Sequence, residues 1–524
     1  MWRYILPAAL AFVAIPAAAR DVPVADATIE QLRTLMAERR TSSVAITRAY
    51  LARIAAMDRR GPALHSVIAL NPAALAEARA LDAERKAGRV RGPLHGIPIL
   101  IKDNIETAGP LPTTAGSLAL RDNITGRDAP VVANLRRAGA VILGKTNLSE
   151  WANIRSTRSM SGWSAVGGLV RNPYALDRTA CGSSSGSGAA VAAGFAAVAV
   201  GTETDGSVVC PSSINGLVGF KPTIGLVSRT HIVPISHSQD TPGPMARTVR
   251  DAAIMLSAMA GSDPADSATA ATVTRDYAAG LSTSALSGMR VGVLRPANLP
   301  ADLTDRYDAA LAVLRAAGAV LVEVRRPDLP GIGEAELTVL KTELKADLNA
   351  YLATTPPAVK TRTLADVIAF NQANADTEMP FFGQELFEEA QKTGGLGDPG
   401  YRTARATSLR LAGTQGIDAM LRTAGAQVLV EPTYAAAWLS DPVYGDSYDG
   451  PSASSLPAIA GYPHLTVPMG LMRGLPVGLS FIAGKGADQT VLGAGYAYEQ
   501  RAQARSAPHF LPRVDGARRP VPRQ

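Results

Sequence analysis

Cysteine and histidine are scarce in this chain: two and six residues respectively out of 524. Two cysteines exclude a disulfide framework and any all-cysteine zinc site. There is no H-E-x-x-H, no H-x-H and no C-x-x-C, so the sequence offers no metal-ligand spacing and no cofactor motif, and none is expected. Aromatic residues make up 5% and charged residues 19% of the chain. The net charge is +7, but its arginines are scattered and form no basic block. Nucleic acid is therefore not an expected partner. Long apolar runs are also missing, apart from one at the extreme N-terminus, which excludes a polytopic membrane protein. What the chain does have is 47% hydrophobic residues, enough to bury a large core and to exclude a disordered chain.

The N-terminal run reads as an export signal. Arg3 supplies a positive start, Ile5 to Ile15 is apolar but for Pro7, and Ala17-Ala18-Ala19 offers small residues for cleavage before Arg20. A retained anchor is the competing reading, but the run is shorter than the ~20 residues a spanning helix needs. Residues 1–19 are expected to be a signal peptide, with a periplasmic or secreted mature protein that keeps no membrane span. Residues 20–524 are expected to form a single domain.

Along that domain, strand-like and helix-like patterns alternate. Residues 28–60, 72–88, 128–139 and 487–503 have helical character. Residues 334–423 are mostly helical in pattern, with a glycine-rich break at 394–397. Short apolar runs at 97–101, 140–143, 196–200, 289–294, 319–324, 427–430, 465–468 and 477–482 suit strands. The expected fold class is α/β, a central mixed β-sheet sandwiched between layers of α-helices.

Two familiar patterns mislead. Gly139 to Thr146 satisfies G-x-x-x-x-G-K-T, yet its interior is Ala-Val-Ile-Leu, which belongs in a buried strand rather than in a phosphate-wrapping loop. Gly182-Ser183-Ser184-Ser185-Gly186 fits G-x-S-x-G around Ser184. The residues before it, 172–178, look like loop, whereas a nucleophile elbow follows a strand. A Ser-His-Asp hydrolase would need a later histidine, and His464 also reads as an ordinary strand-end residue.

The informative segment is Cys181-Gly182-Ser183-Ser184-Ser185-Gly186-Ser187-Gly188, which runs into a helix of small residues and is followed by Gly201-Thr202-Glu203-Thr204-Asp205-Gly206-Ser207. A flexible linker would not lead straight into an apolar helix. These segments resemble the amidase signature family. So do the strand ending in Lys102-Asp103-Asn104, the run Gly144-Lys145-Thr146-Asn147, the stretch Asp240-Thr241-Pro242-Gly243-Pro244 and Ala460-Gly461-Tyr462-Pro463. Several separated motifs agree in order over most of the mature chain.

The resemblance implies an amide hydrolase with a Ser–cis-Ser–Lys triad. It places the nucleophile on Ser207, the bridging serine on Ser183 after a cis peptide, and the base on Lys102. It makes the backbone N–H groups of Thr204, Asp205, Gly206 and Ser207 candidates for the oxyanion hole, and it sets Ser159, Met160, Ser161 and Ser184 near the substrate. The form Thr204-Asp205-Gly206-Ser207 departs from the commoner pair of glycines before the nucleophile and is similar to the family's bacterial peptide amidase branch. It puts a side chain at Asp205 where much of the family has none. The implied substrate is a small-molecule or peptide amide, most specifically a C-terminal peptide amide. Aryl and aliphatic amides and a non-catalytic binding protein are the alternatives, while an export signal argues against the family's cytoplasmic amidotransferase role.

Chemistry gives each residue a reason. Serine needs a base within reach. Lysine can be that base if burial keeps it neutral, and Lys102 ends an apolar run. Asp103, next along the strand, should face the other way. Cys181 and Cys210 flank the two serines. Both a disulfide and two small buried side chains are compatible with that spacing.

Overall fold

In seven strands of the large sheet, among the described residues, every residue is buried, although alternate side chains point to opposite faces of a strand. These are Pro98–Lys102, Val141–Thr146, Val198–Glu203, Val218–Lys221, Thr241–Ala246, Val428–Pro432 and Leu475–Ile482. A sheet containing them is covered on both faces, as the near-continuous apolar runs require. The computed structural model describes residues 24–514, so the expected signal segment 1–19 lies outside the described residues.

The strands in chain order are β1 (Val67–Leu70), β2 (Pro98–Lys102), β3 (Val141–Thr146), β4 (Trp163–Ser164), β5 (Gly168–Leu169), β6 (Val198–Glu203) and β7 (Val218–Lys221). They continue with β8 (Thr241–Ala246), β9 (Arg290–Val293), β10 (Val320–Glu323), β11 (Val428–Pro432), β12 (His464–Met472) and β13 (Leu475–Ile482). β4 and β5 form a small hairpin; the other eleven make one sheet in the order β1-β3-β2-β6-β8-β7-β12-β13-β11-β9-β10. β2 runs parallel to β3 and β6, β9 runs parallel to β10 and β11, and the centre is antiparallel. The fold is α/β, a large mixed sheet with flanking helices.

The strand expected at 196–200 extends to Glu203, so that Thr202 and Glu203 stand beside the end of β2. The helical pattern at 28–60 is two helices, Ile29–Ala37 and Ser43–Met57; Ser42 caps the second by accepting from the Ala45 N–H. Polar Thr41-Ser42 ends one periodic run and starts the next. The stretch 334–423 resolves into helices Ile332–Leu352, Leu364–Ala373, Ala375–Glu378, Glu385–Gln391 and Pro399–Leu409, a π-helical turn at Arg410–Ile417, and a last helix Asp418–Ala424. Among the described residues no helix is long and apolar enough to cross a membrane.

Candidate active site

Lys102 is the last residue of β2 and is fully buried. Its Nζ lies 2.7 Å from Ser183 Oγ, 2.8 Å from Thr202 Oγ1 and 3.2 Å from the Thr202 carbonyl oxygen. Burial pushes the amine down to about 7, against Asp240 and Glu203, which favour the charged form. A neutral amine has two N–H groups and one lone pair. Two N–H bonds to Thr202 and one O–H bond from Ser183 would satisfy all of them. Asp103 does turn the other way. It pairs with Lys145 at 3.0 Å and accepts from the Thr114 backbone N–H. Lys145, the lysine of the apparent phosphate loop, is thus a buried strand residue on β3 held by Asp103 and Thr113.

Ser183 is buried, and the peptide bond before it, Gly182–Ser183, is cis. Its carbonyl accepts from the Ser149 N–H at 3.0 Å. Gly182 has no room for a side chain, since a Cβ there would stand 2.1 Å from Ser149 Oγ. The next residue, Ser184, donates its backbone N–H to the Ser207 carbonyl at 3.1 Å, which ties the two serine loops together. Its hydroxyl is spent on the Thr202 backbone, bonding both the C=O and the N–H. Ser184 is fully buried and fastens the loop to the end of β6 through its hydroxyl.

Ser207 is 7% exposed and sits in the turn after β6. Glu203 Oε2 accepts from the Val208 and Val209 N–H groups at 2.7 and 2.9 Å and so closes that turn behind the serine. Thr204 donates its hydroxyl to Asp240 at 2.6 Å, and Asp240 in turn accepts from the Ile235 and Ser236 N–H groups. Burial raises Asp240 to about 6. Gly206 is left-handed with φ 78°, and a Cβ there would meet Tyr434 OH at 2.6 Å. Among the described residues, the N–H groups of Asp205, Gly206 and Ser207 meet no protein acceptor and are free for an incoming oxygen.

Cys181 and Cys210 are joined, with Cα atoms 6.0 Å apart. Of the two arrangements compatible with the sequence, the structure adopts the disulfide. It links the residue two before Ser183 to the residue three after Ser207. Ser159 and Met160 are buried. Ser159 Oγ donates to the Ser156 carbonyl at 2.9 Å, and Met160 packs with Trp163 and Phe382. Ser161 is closer to the serines: its Oγ donates to Asp446 at 2.6 Å and lies 3.2 Å from the Cβ position of Gly182. A cavity of about 450 Å³ opens beside the strand ends, lined by Asn104, Thr202, Thr204, His231, Asp240 and Tyr351 among others.

His464 does not meet a nucleophile. It is buried on β12 with Nε2 2.6 Å from Ser480 Oγ, and burial with nearby Lys221 lowers it to about 3. The arrangement of a Ser-His-Asp hydrolase is absent around it. Sequence reasoning missed Thr202 and Glu203 as parts of the site. Both lie within the quoted motif, and the extra length of β6 is what brings them beside Lys102.

A family model described as Amidase matches residues 45–492. The native peptide amidase of Stenotrophomonas maltophilia is 52% identical and superposes with a TM-score of 0.90, covering 93% of this chain and 99% of that one. A structure of peptide amidase in complex with the competitive inhibitor chymostatin is likewise 52% identical, with a TM-score of 0.91 over 93% of this chain and 100% of that chain. A probable amidase of Arabidopsis thaliana is 39% identical over 501 residues, 93% of this chain and 92% of the relative. Matched over most of its length in sequence and in fold, the protein belongs to the amidase signature family and is an amide-hydrolysing enzyme.

Proposed function

We propose that the protein is an exported peptide amidase, a single domain from residue 20 onward, that releases ammonia from C-terminal carboxamides through Ser207, Ser183 and Lys102. The observation that carries this reading is the Lys102–Ser183 contact at 2.7 Å made by an amine that burial holds near 7. Neutral Lys102 takes the Ser183 proton as Ser183 takes that of Ser207, and Ser207 Oγ attacks the carboxamide carbon. The free N–H groups of Asp205, Gly206 and Ser207 receive the oxyanion. The proton returns through Ser183 to the leaving nitrogen, ammonia departs, and water cleaves the acyl ester by the same relay. Export rests on residues 1–19, and the peptide substrate on the likeness to peptide amidases.

The test is ammonia release from a panel of peptidyl, aryl and aliphatic amides, with fluorophosphonate labelling read by mass spectrometry. Turnover of peptidyl amides and a label on Ser207 are expected. A label on Ser184, or none, overturns the assignment of the nucleophile. A preference for aryl or aliphatic amides overturns the peptide assignment alone. N-terminal sequencing of protein from its host should start near Arg20; intact cytoplasmic protein beginning at Met1 overturns export.

A further inference from the structure

Next to the loop of Ser207 stands a group of acceptors with unpartnered oxygens. Thr204 has its hydroxyl engaged and Glu203 its Oε2, but Glu203 Oε1 and Asp205 Oδ1 are both buried without a hydrogen-bond partner among the described residues. Opposite it, the helix Ile332–Leu352 brings Glu336, whose Oε1 accepts from Gln239 Nε2 at 2.9 Å. The same Nε2 reaches the Thr204 carbonyl at 3.4 Å, so Gln239 joins the helix to the loop that carries Ser207. Gln239 is fully buried, and its own Oε1 has no partner among the described residues.

Glu336 and the turn of Thr204 and Asp205 are thus joined through the engaged Gln239 amide N–H2, while Ser454 and Ser455 serve Asp205 and leave its Oδ1 and the Gln239 Oε1 without a partner among the described residues. Burial together with the Asp205 carboxylate raises Glu336 to about 8, as expected of acids without a counter-cation. Lys221 is the one cation that bears on Asp205, more weakly than burial and than Ser454 and Ser455, and its Nζ is bonded to the Pro222 carbonyl. Asp205 and Glu336 both stay partly accessible to solvent. Unpartnered buried acceptors are costly, and a cation with several N–H groups satisfies charge and hydrogen bonding together.

We infer that Asp205, Gln239 and Glu336 form a subsite for a positively charged side chain of the substrate, so that the enzyme prefers amides of basic residues. This rests on the amidase reading above and specifies its substrate class. Asp205 supplies the negative charge, Glu336 is mostly protonated at neutral pH and gives up its proton when the cation binds, and Gln239 ties Glu336 to the loop of Ser207.

The experiment compares N-acetyl-arginine amide, N-acetyl-citrulline amide and N-acetyl-leucine amide by kcat/KM. Citrulline keeps the shape of arginine and three of its five N–H groups, carries a carbonyl oxygen in place of the remaining NH2, and loses the charge. The arginine amide should exceed the citrulline amide by roughly tenfold, a typical magnitude for one desolvated charge contact. Glu336→Gln and Asp205→Asn should each shrink that ratio towards one. The leucine amide corrects for any general damage to folding or catalysis. Calorimetry of Ser207→Ala with the arginine and citrulline amides reads the same preference without turnover. A wild-type ratio near one, a ratio unmoved by Glu336→Gln, or equal affinities in Ser207→Ala would each overturn the subsite. Hydrolysis of none of the three amides, with the affinity preference intact, would instead overturn the peptide-amide reading.

Discussion

The strand ends between residues 98 and 246 and the helices between 332 and 424 contribute to the site in opposite ways. At the strand ends Lys102, Ser183, Thr202 and Ser207 are all buried, and each loop is bonded to the backbone of another. The helical stretch has exposed faces, such as Leu409 at 42%, and includes the π-helical turn Arg410–Ile417. It reaches the serine loop by the hydrogen bonds of Glu336 through Gln239, and it lines the cavity beside that loop with Tyr351. Sheet geometry therefore sets the reacting groups, while the helices are free to vary what surrounds the substrate. Proteins commonly combine a rigid scaffold with such variable walls.

The largest effects should come from the strand ends. Ser207→Ala and Lys102→Ala should each lower kcat/KM by roughly 10⁴-fold or more, as removal of nucleophile or base does elsewhere. In the wild type kcat/KM should rise with pH through an apparent value near 7, because the deprotonated amine is the active form and burial holds Lys102 at about 7. Lys102→Arg should not restore activity, since a guanidinium keeps its proton. His464→Ala should leave the pH limb in place. A fully active Lys102→Arg enzyme would mean that the lysine only positions its neighbours.

Next in size is the packing of the serine loop. Gly182→Ala puts a methyl group 2.1 Å from Ser149 Oγ and should cost about 1–3 kcal/mol of stability together with most activity. Denaturant titration and steady-state kinetics of that variant check both. The disulfide weighs more in stability and less in turnover. Replacing Cys181 and Cys210 together by alanine should lower the unfolding free energy by about 2–4 kcal/mol, and reductant should shift the wild type but not the variant.

Smaller still is Ser184→Ala. It removes two hydrogen bonds to the Thr202 backbone and should cost about 1–3 kcal/mol of stability, with far less loss of turnover than Ser207→Ala. The reverse ranking would restore the elbow reading. The smallest change is expected from Leu409→Ala on an exposed helical face, within about 0.5 kcal/mol by thermal unfolding. A large loss of activity there would break the contrast between the two regions.

Much of this was legible in the chain. Apolar runs located β2, β3, β6, β9 and β13 because buried strands tolerate few polar residues, and separated motifs in one order identified the family. The same logic rejected the phosphate loop, since Ala-Val-Ile-Leu between its glycines forms β3. Helix breaks were less legible: 28–60 looked continuous because both helices keep apolar faces and only Thr41-Ser42 interrupts them. Ser184 was set near substrate because it adjoins Ser183; that its hydroxyl bonds the Thr202 backbone was not legible, because the contact crosses from the serine loop to β6.

By itself the sequence determined the fold class, the family and which lysine and serines to bring forward as candidates, because hydrophobic period and residue order are local properties of the chain. Only the tertiary structure decided the rest. It brought Thr202 to Lys102 across 100 residues, paired Cys181 with Cys210, and set Glu336 from a distant helix beside the loop of Ser207. These contacts depend on strand register and helix docking, which are fixed by packing of the whole core. The lowered pKa of Lys102 follows from the same cause, since burial is a property of the fold and not of the residue.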